Sequence, residues 1–142
     1  MRVTQKDRIF FRIPRDQLHP GSLKRLLRIE RYNEYKLNLS AEAKRKDFTI
    51  PAWGLCITFY IPVPPSWSKK QKKLHHGILH QRKPDLKNLL SAFEDGLTSE
   101  DKYIAHYGEM CKRWVDSENG WIELSFLTHA EMRTNPFKND PD

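Results

Sequence analysis

The chain has 142 residues, 38% hydrophobic, 11% aromatic and 30% charged, which is enough apolar mass for one modest core and excludes a disordered or fibrous protein. Lysine and arginine number 25 against 18 acids, a net charge of +7; the pI near 9.5 favours anionic partners, with nucleic acid the commonest. Neither cysteine, Cys56 nor Cys111, has a CxxC partner, and no segment approaches the ~18 apolar residues that span a bilayer, so neither a zinc module nor a membrane span is expected.

Charge alone is equally compatible with an ordinary basic cytosolic protein. The first residues, MRVTQKDRIFFRIPRD, lack the long apolar stretch of a signal peptide. The expectation is a cytoplasmic protein with both thiols reduced and partly buried.

The first element is RIFFRIP, residues 8–14. It is aromatic and β-branched and stops at Pro14, which reads as a strand. Residues 22–46 lack glycine and proline, and Leu23, Leu26, Leu27 and Ile29 recur at helical spacing after Ser22, a candidate N-cap. This is either one long helix or two with a break near Asn38–Ser40, and its cations read mainly as a solvated face. In WGLCITFYIPVP, residues 53–64, Leu55, Ile57, Phe59 and Ile61 alternate with Cys56, Thr58 and Tyr60, which predicts a strand ended by the Pro62–Pro65 cluster.

Residues 66–77 predict a short basic helix, with Ser66 or Ser68 as cap and Gly77 as terminator. HQRKP is a loop. After Pro84 a further helix carries Leu86, Leu89, Leu90 and Phe93 on one face, with Gly96 at its end. Residues 102–115 predict a strand of imperfect alternation, SENG at 117–120 a turn, and WIELSFL at 121–127 a last strand returning as a hairpin. The sum is an α+β domain over residues 1–128, a small mixed sheet covered by helices, followed by a polar tail at 129–142.

Between Ser66 and Pro84 stand six cations, Lys69, Lys70, Lys72, Lys73, Arg82 and Lys83, with three histidines and no acid. Such density binds phosphates, because each neutralised phosphate releases counterions. Trp67 either stacks on a base or, as the stronger reading, braces the helix. His75, His76 and His80 match metal-ligand spacing only loosely and read as surface residues or phosphate contacts. The next stretch turns acidic, with Asp85, Glu94, Asp95, Glu100 and Asp101. Asp85 at a helix start suits the backbone N–H groups and the positive end of the dipole. The other reading brings Asp85 together with an acid of the Glu100–Asp101 pair on Mg²⁺, which takes a few carboxylates and leaves positions for water and phosphate.

RKPDLKNLLSAFEDGL followed by EDKYI resembles the signature of the RusA family of Holliday-junction resolvases. That signature runs approximately [RK]-P-D-x-D-N-L-x-K, then a short helix and an acidic pair. CITFYIPVPPSWSKKQKK is similar to the strand, proline-rich turn and basic helix upstream of it, so the resemblance covers about residues 8–127. It implies a RusA-like fold and a homodimer. It also implies an endonuclease that binds four-way DNA junctions and cuts them with Mg²⁺, or Mn²⁺, held by aspartates, in recombination and repair.

On this chain the first motif aspartate is Asp85, the asparagine is Asn88, and Glu100 and Asp101 are the acidic pair, Asp101 being the favoured ligand. Two positions depart: Lys87 stands for the second aspartate and Ser91 for the assisting lysine. Lys87 either replaces that lysine from one turn earlier or repels the metal. An active resolvase using Asp85, Lys87 and Asp101 is therefore one expectation. A junction-binding protein with impaired or lost nuclease activity is the other.

Overall fold

The computed structural model describes residues 8–18 and 24–128, with only the backbone at Asp101. A four-stranded mixed sheet is built from β1 (Ile9–Ile13), β2 (Trp53–Pro62), β3 (His106–Val115) and β4 (Gly120–Phe126), in the order β1-β4-β2-β3. Helices α1 (Arg15–Leu18), α2 (Arg25–Arg45), α3 (Lys69–His75) and α4 (Leu86–Leu97) accompany it, so the α+β expectation holds.

The alternation of β2 sets the layers. Leu55, Ile57, Phe59 and Ile61 are almost fully buried and face the same core as Phe11 and Ile13 of β1 and Ile122 and Leu124 of β4. Tyr35 and Leu39 of α2, and Leu89 and Phe93 of α4, close that core. Phe93 lies at its centre, 6.4 Å from the rings of Phe11, Phe48 and Phe59. Burying it there contributes several kcal/mol, on the order of the 3–5 lost in a typical core Phe→Ala change.

Residues 25–45 form one unbroken helix, the first of the two expected alternatives, and its N-cap is Lys24 without a side-chain cap bond; Ser22 lies outside the described residues, as do 1–7 and the tail from 129. Other boundaries differ from expectation for physical reasons. Gly96 does not end α4, which runs on to Leu97: a Cβ there would lie 3.2 Å from the Lys36 carbonyl oxygen, so the glycine lets α4 approach α2. A 3-10 turn occupies Asp101–Tyr103, and β3 starts only at His106.

The largest correction is topological. β4 does not return on β3 as a hairpin. It pairs antiparallel with both β1 and β2, while β3 pairs parallel with β2 on the other side. The turn therefore crosses the end of β2, and Arg15 fastens that crossing. Its guanidinium donates to the carbonyls of Val63 at 2.7 Å, Ser117 at 3.1 Å and Glu118 at 3.0 Å. Gly120 receives the chain where a Cβ would meet the Tyr60 carbonyl at 2.8 Å and Leu18 closer still. None of these constraints belongs to a local turn signal.

Candidate functional site

The basic segment is anchored before it is cationic. Ser68 caps α3 in a reciprocal capping box with Gln71, at 3.2 Å in each direction. Gly77, with a φ of +83°, turns the chain after α3. The following residues run along β3: Gly77 N–H donates to the Trp114 carbonyl at 2.8 Å, Trp114 N–H to Ile78 at 2.9 Å and His80 N–H to Lys112 at 2.9 Å.

Trp67 is a brace, half-buried with its ring 4.5 Å from His75 and 5.0 Å from Trp114. His80 is not a surface residue. It is 3% exposed, its ring 4.1 Å from that of Trp114 and tilted against it by 50°. His76 accepts the Asp116 N–H at 3.0 Å, and His75 Nδ1 lies 2.8 Å from the Gln71 carbonyl. These contacts hold the segment on the sheet. Lys69, Lys70 and Lys73 of α3 stand exposed, Lys72 half-buried, and Arg82 and Lys83 exposed in the loop beyond. Arg82 also lies over the Trp67 ring at 5.7 Å.

Asp85 stands at the N-cap of α4, but its side chain makes no capping hydrogen bond. The carboxylate is exposed, as are Lys87, Asn88 and Ser91 on the first turns of the helix. The helix-capping explanation of this acid therefore lacks its defining contact.

The loop that carries Asp85 is held by Lys112, a residue the sequence pattern did not single out. Lys112 pairs with Phe59 in the parallel register of β2 and β3, so it shares the helix-covered face of the sheet. Its ammonium donates to the Pro84 carbonyl at 2.8 Å and to the Arg82 carbonyl, and lies 3.2 Å from His80 Nδ1. Desolvation pushes its pKa down, and the charge of Asp85 opposes that shift. A signal was present: Trp114, two residues on, is a core residue, and a period of two places Lys112 on its face.

The remaining acids divide. Glu94 accepts from the Tyr107 hydroxyl at 2.6 Å and Asp95 from the Tyr32 hydroxyl at 3.1 Å, so both brace α4. Glu100 is exposed, 3.6 Å from the Lys102 ammonium, and its N–H donates to Thr98 Oγ1 at 3.0 Å. The side chain of Asp101 lies outside the described residues.

A family model for the endodeoxyribonuclease RusA matches residues 19–120. The chain belongs to the RusA family. The matched stretch contains α2, β2, α3, α4 and β3 and ends where β4 begins. No curated protein matches the chain. RusA-family proteins generally resolve Holliday junctions and generally depend on a divalent metal.

The donor chemistry of the loop suits such an ion in one respect. Mg²⁺ binds through one or two carboxylates plus waters and phosphate oxygens, and Asp85 offers an exposed carboxylate that the helix has not claimed. Among the described residues, no three His, Cys, Asp or Glu side chains gather into a cluster. Among those residues, too, no helix is long and apolar enough to cross a membrane.

Proposed function

We propose that this RusA-family protein is a structure-selective DNA endonuclease that acts on four-way junctions, with Asp85 as the central carboxylate of its reactive site. The observation that carries this reading is the state of Asp85: exposed at the head of α4, uncapped, and presented by a loop tied to the sheet. Asp85 would hold Mg²⁺ or Mn²⁺, with Glu100 and Asp101 as the further ligands. When bound, the ion supplies Lewis-acid polarisation of the scissile phosphate and a water of lowered pKa.

The chain's own cations do the rest. Lys69, Lys70, Lys72 and Lys73 on α3, with Arg82 and Lys83 in the loop, bind and orient the phosphate backbone. Arg82 and Lys83 lie three and two residues from Asp85 in the chain, so phosphate contact there delivers the backbone to the carboxylate. A homodimer would present two such sites to two symmetric strands of a junction, in recombination and repair.

A second reading is favoured by Lys87 and Ser91. Both are exposed on α4 just past Asp85, where the family signature has an acid and a lysine. In this reading the protein binds junctions without cutting them. Incubating a labelled mobile four-way junction with wild type and Asp85→Asn, with and without Mg²⁺ or Mn²⁺, separates the readings. Metal-dependent cleavage lost in Asp85→Asn, with junction binding kept, is the expected result. Equal cleavage by the two proteins would remove Asp85 from the site, and binding without wild-type cleavage would establish the second reading.

A further inference from the structure

The structure assigns to Lys112 the role of a positioning residue for the Asp85 loop, an inference that rests on the reading of Asp85 given above. An ammonium has three N–H donors. Lys112 has three acceptors around it: the carbonyls of Arg82 and Pro84, and Nδ1 of His80. Two donors go to the backbone carbonyls, and the third is directed at His80 Nδ1, whose one lone pair it shares with the Arg82 N–H. Lys112 is therefore engaged with the loop backbone instead of reaching for a phosphate.

The geometry around it supports the same conclusion. Arg82 N–H also points at His80 Nδ1, 3.4 Å away. Two donors on one ring nitrogen require Nδ1 to be the unprotonated atom, so His80 carries its proton on Nε2. The ring is fixed by burial and by its tilted contact with Trp114. Lys112 itself is fixed by β3, whose backbone carbonyl at the same residue accepts the His80 N–H. A sheet residue thus clamps the loop from both its backbone and its side chain. The clamp ends at the Pro84 carbonyl, one peptide before Asp85.

Charge alone does not explain this arrangement. Desolvation works against the ammonium, and an isolated cation near Asp85 would be better solvated farther out. What offsets that cost is two charge-assisted hydrogen bonds to backbone carbonyls, with the contact to His80 Nδ1 beside them. The consequence is that Asp85 is oriented by a residue that never touches substrate. A misplacement of the loop by about 1 Å is enough to cost up to about a hundredfold in rate.

The test compares full-length wild type, Lys112→Met and Lys112→Arg. Trypsin cuts after Arg82, while the bond after Lys83 precedes proline and resists it, so one bond reports the loop. In Lys112→Met, cleavage at that bond should accelerate by about tenfold or more, as expected when a local opening loses its hydrogen bonds. On a four-way junction kcat should fall by about 10- to 100-fold with KM within about twofold. Lys112→Arg keeps the charge, but its planar fork cannot meet three convergent acceptors, so it should remain impaired. It also serves if the methionine variant fails to fold.

An unchanged tryptic rate at Arg82 in both variants overturns the inference, whether or not the wild type cuts DNA. So does wild-type behaviour of Lys112→Arg, which would leave only through-space charge. A loosened loop with unchanged kcat overturns the positioning role as well. Asp85→Asn run beside them isolates the other failure: if it cuts like wild type, the reading of Asp85 falls while the tryptic result still judges the clamp.

Discussion

The hydroxyl of Tyr107 on β3 donates to the Glu94 carboxylate on α4 at 2.6 Å. From the next residue of the same helix, Asp95 accepts from Tyr32 of α2. Two neighbouring acids thus tie α4 to the sheet and to α2, and the helix in turn sets the direction from which Asp85 leaves its first turn. The acid-rich stretch from 85 to 101 is divided between bracing and presentation.

The two braces should differ in strength. Tyr107 and Glu94 are both half-buried, while the Tyr32–Asp95 pair lies in the open. Tyr107→Phe should therefore destabilise the protein by about 1.5–3 kcal/mol, the range for a bond to a charged group. Tyr32→Phe should cost less than about 1 kcal/mol. Urea unfolding at neutral pH reads both, and equal losses would contradict the difference in burial.

How far the sequence revealed these relations depended on whether they were local. The strand β2 was visible because its apolar residues alternate without interruption, and α4 because Leu86, Leu89, Leu90 and Phe93 repeat at helical spacing. The cap of α3 was visible as one of two serines, Ser66 or Ser68, and the structure uses Ser68. The crossing of β4 over the end of β2 was not, because Arg15 enforces it from about 100 residues away in the chain. Lys112 was hidden for a similar reason: a lysine beside Arg113 in a strand looks solvated until the register with Phe59 is known. The burial of His80 depends in the same way on Trp114, a contact made across the sheet edge.

Stability should fall at high pH. Burial, with the Glu123 carboxylate beside it, pushes the Tyr60 phenol up to about 12 from 10.0. The native state then holds a proton that the unfolded chain releases. The stabilisation from this group is complete below pH 10 and is lost as the pH rises towards about 12. Tyr35, fully buried, is shifted in the same direction. Tyr60→Phe should therefore flatten, but not abolish, the loss of stability over that window in denaturant titrations. A slope identical to wild type would show that Tyr60 ionises as it does in the unfolded chain.

Junction binding should weaken steeply with salt and survive chelation. Lys69, Lys70 and Lys73 present exposed ammonium groups from one short helix, with Lys72 half-buried among them. Replacing all four by alanine should reduce the slope of log K against log salt by up to about 0.9 per lost phosphate contact. The helix itself should persist, because its cap is Ser68 and none of its residues is buried. An unchanged slope, measured by fluorescence anisotropy across a salt series, would place the DNA elsewhere on the protein.

In the proposed site, Lys87 and Ser91 should decide how much catalysis is retained. They lie four residues apart on α4, so their side chains share one face just beyond Asp85. The double change Lys87→Asp with Ser91→Lys restores an acid next to Asp85 and a cation one turn further on. Both positions are exposed, so the fold should tolerate the exchange with a change of under about 0.5 kcal/mol. An attractive charge then replaces a repulsive one beside the divalent ion, and a lower Mg²⁺ concentration should support cleavage. If the wild type already cuts because Lys87 serves as the assisting cation, Lys87→Ala should instead lose activity with little loss of binding. Wild type, Lys87→Ala and the double variant assayed on one junction across a Mg²⁺ series distinguish these cases. Wild-type cleavage untouched by Lys87→Ala would exclude a catalytic role for Lys87. An inactive wild type that the double change fails to awaken would move the defect to the Glu100–Asp101 end of the site.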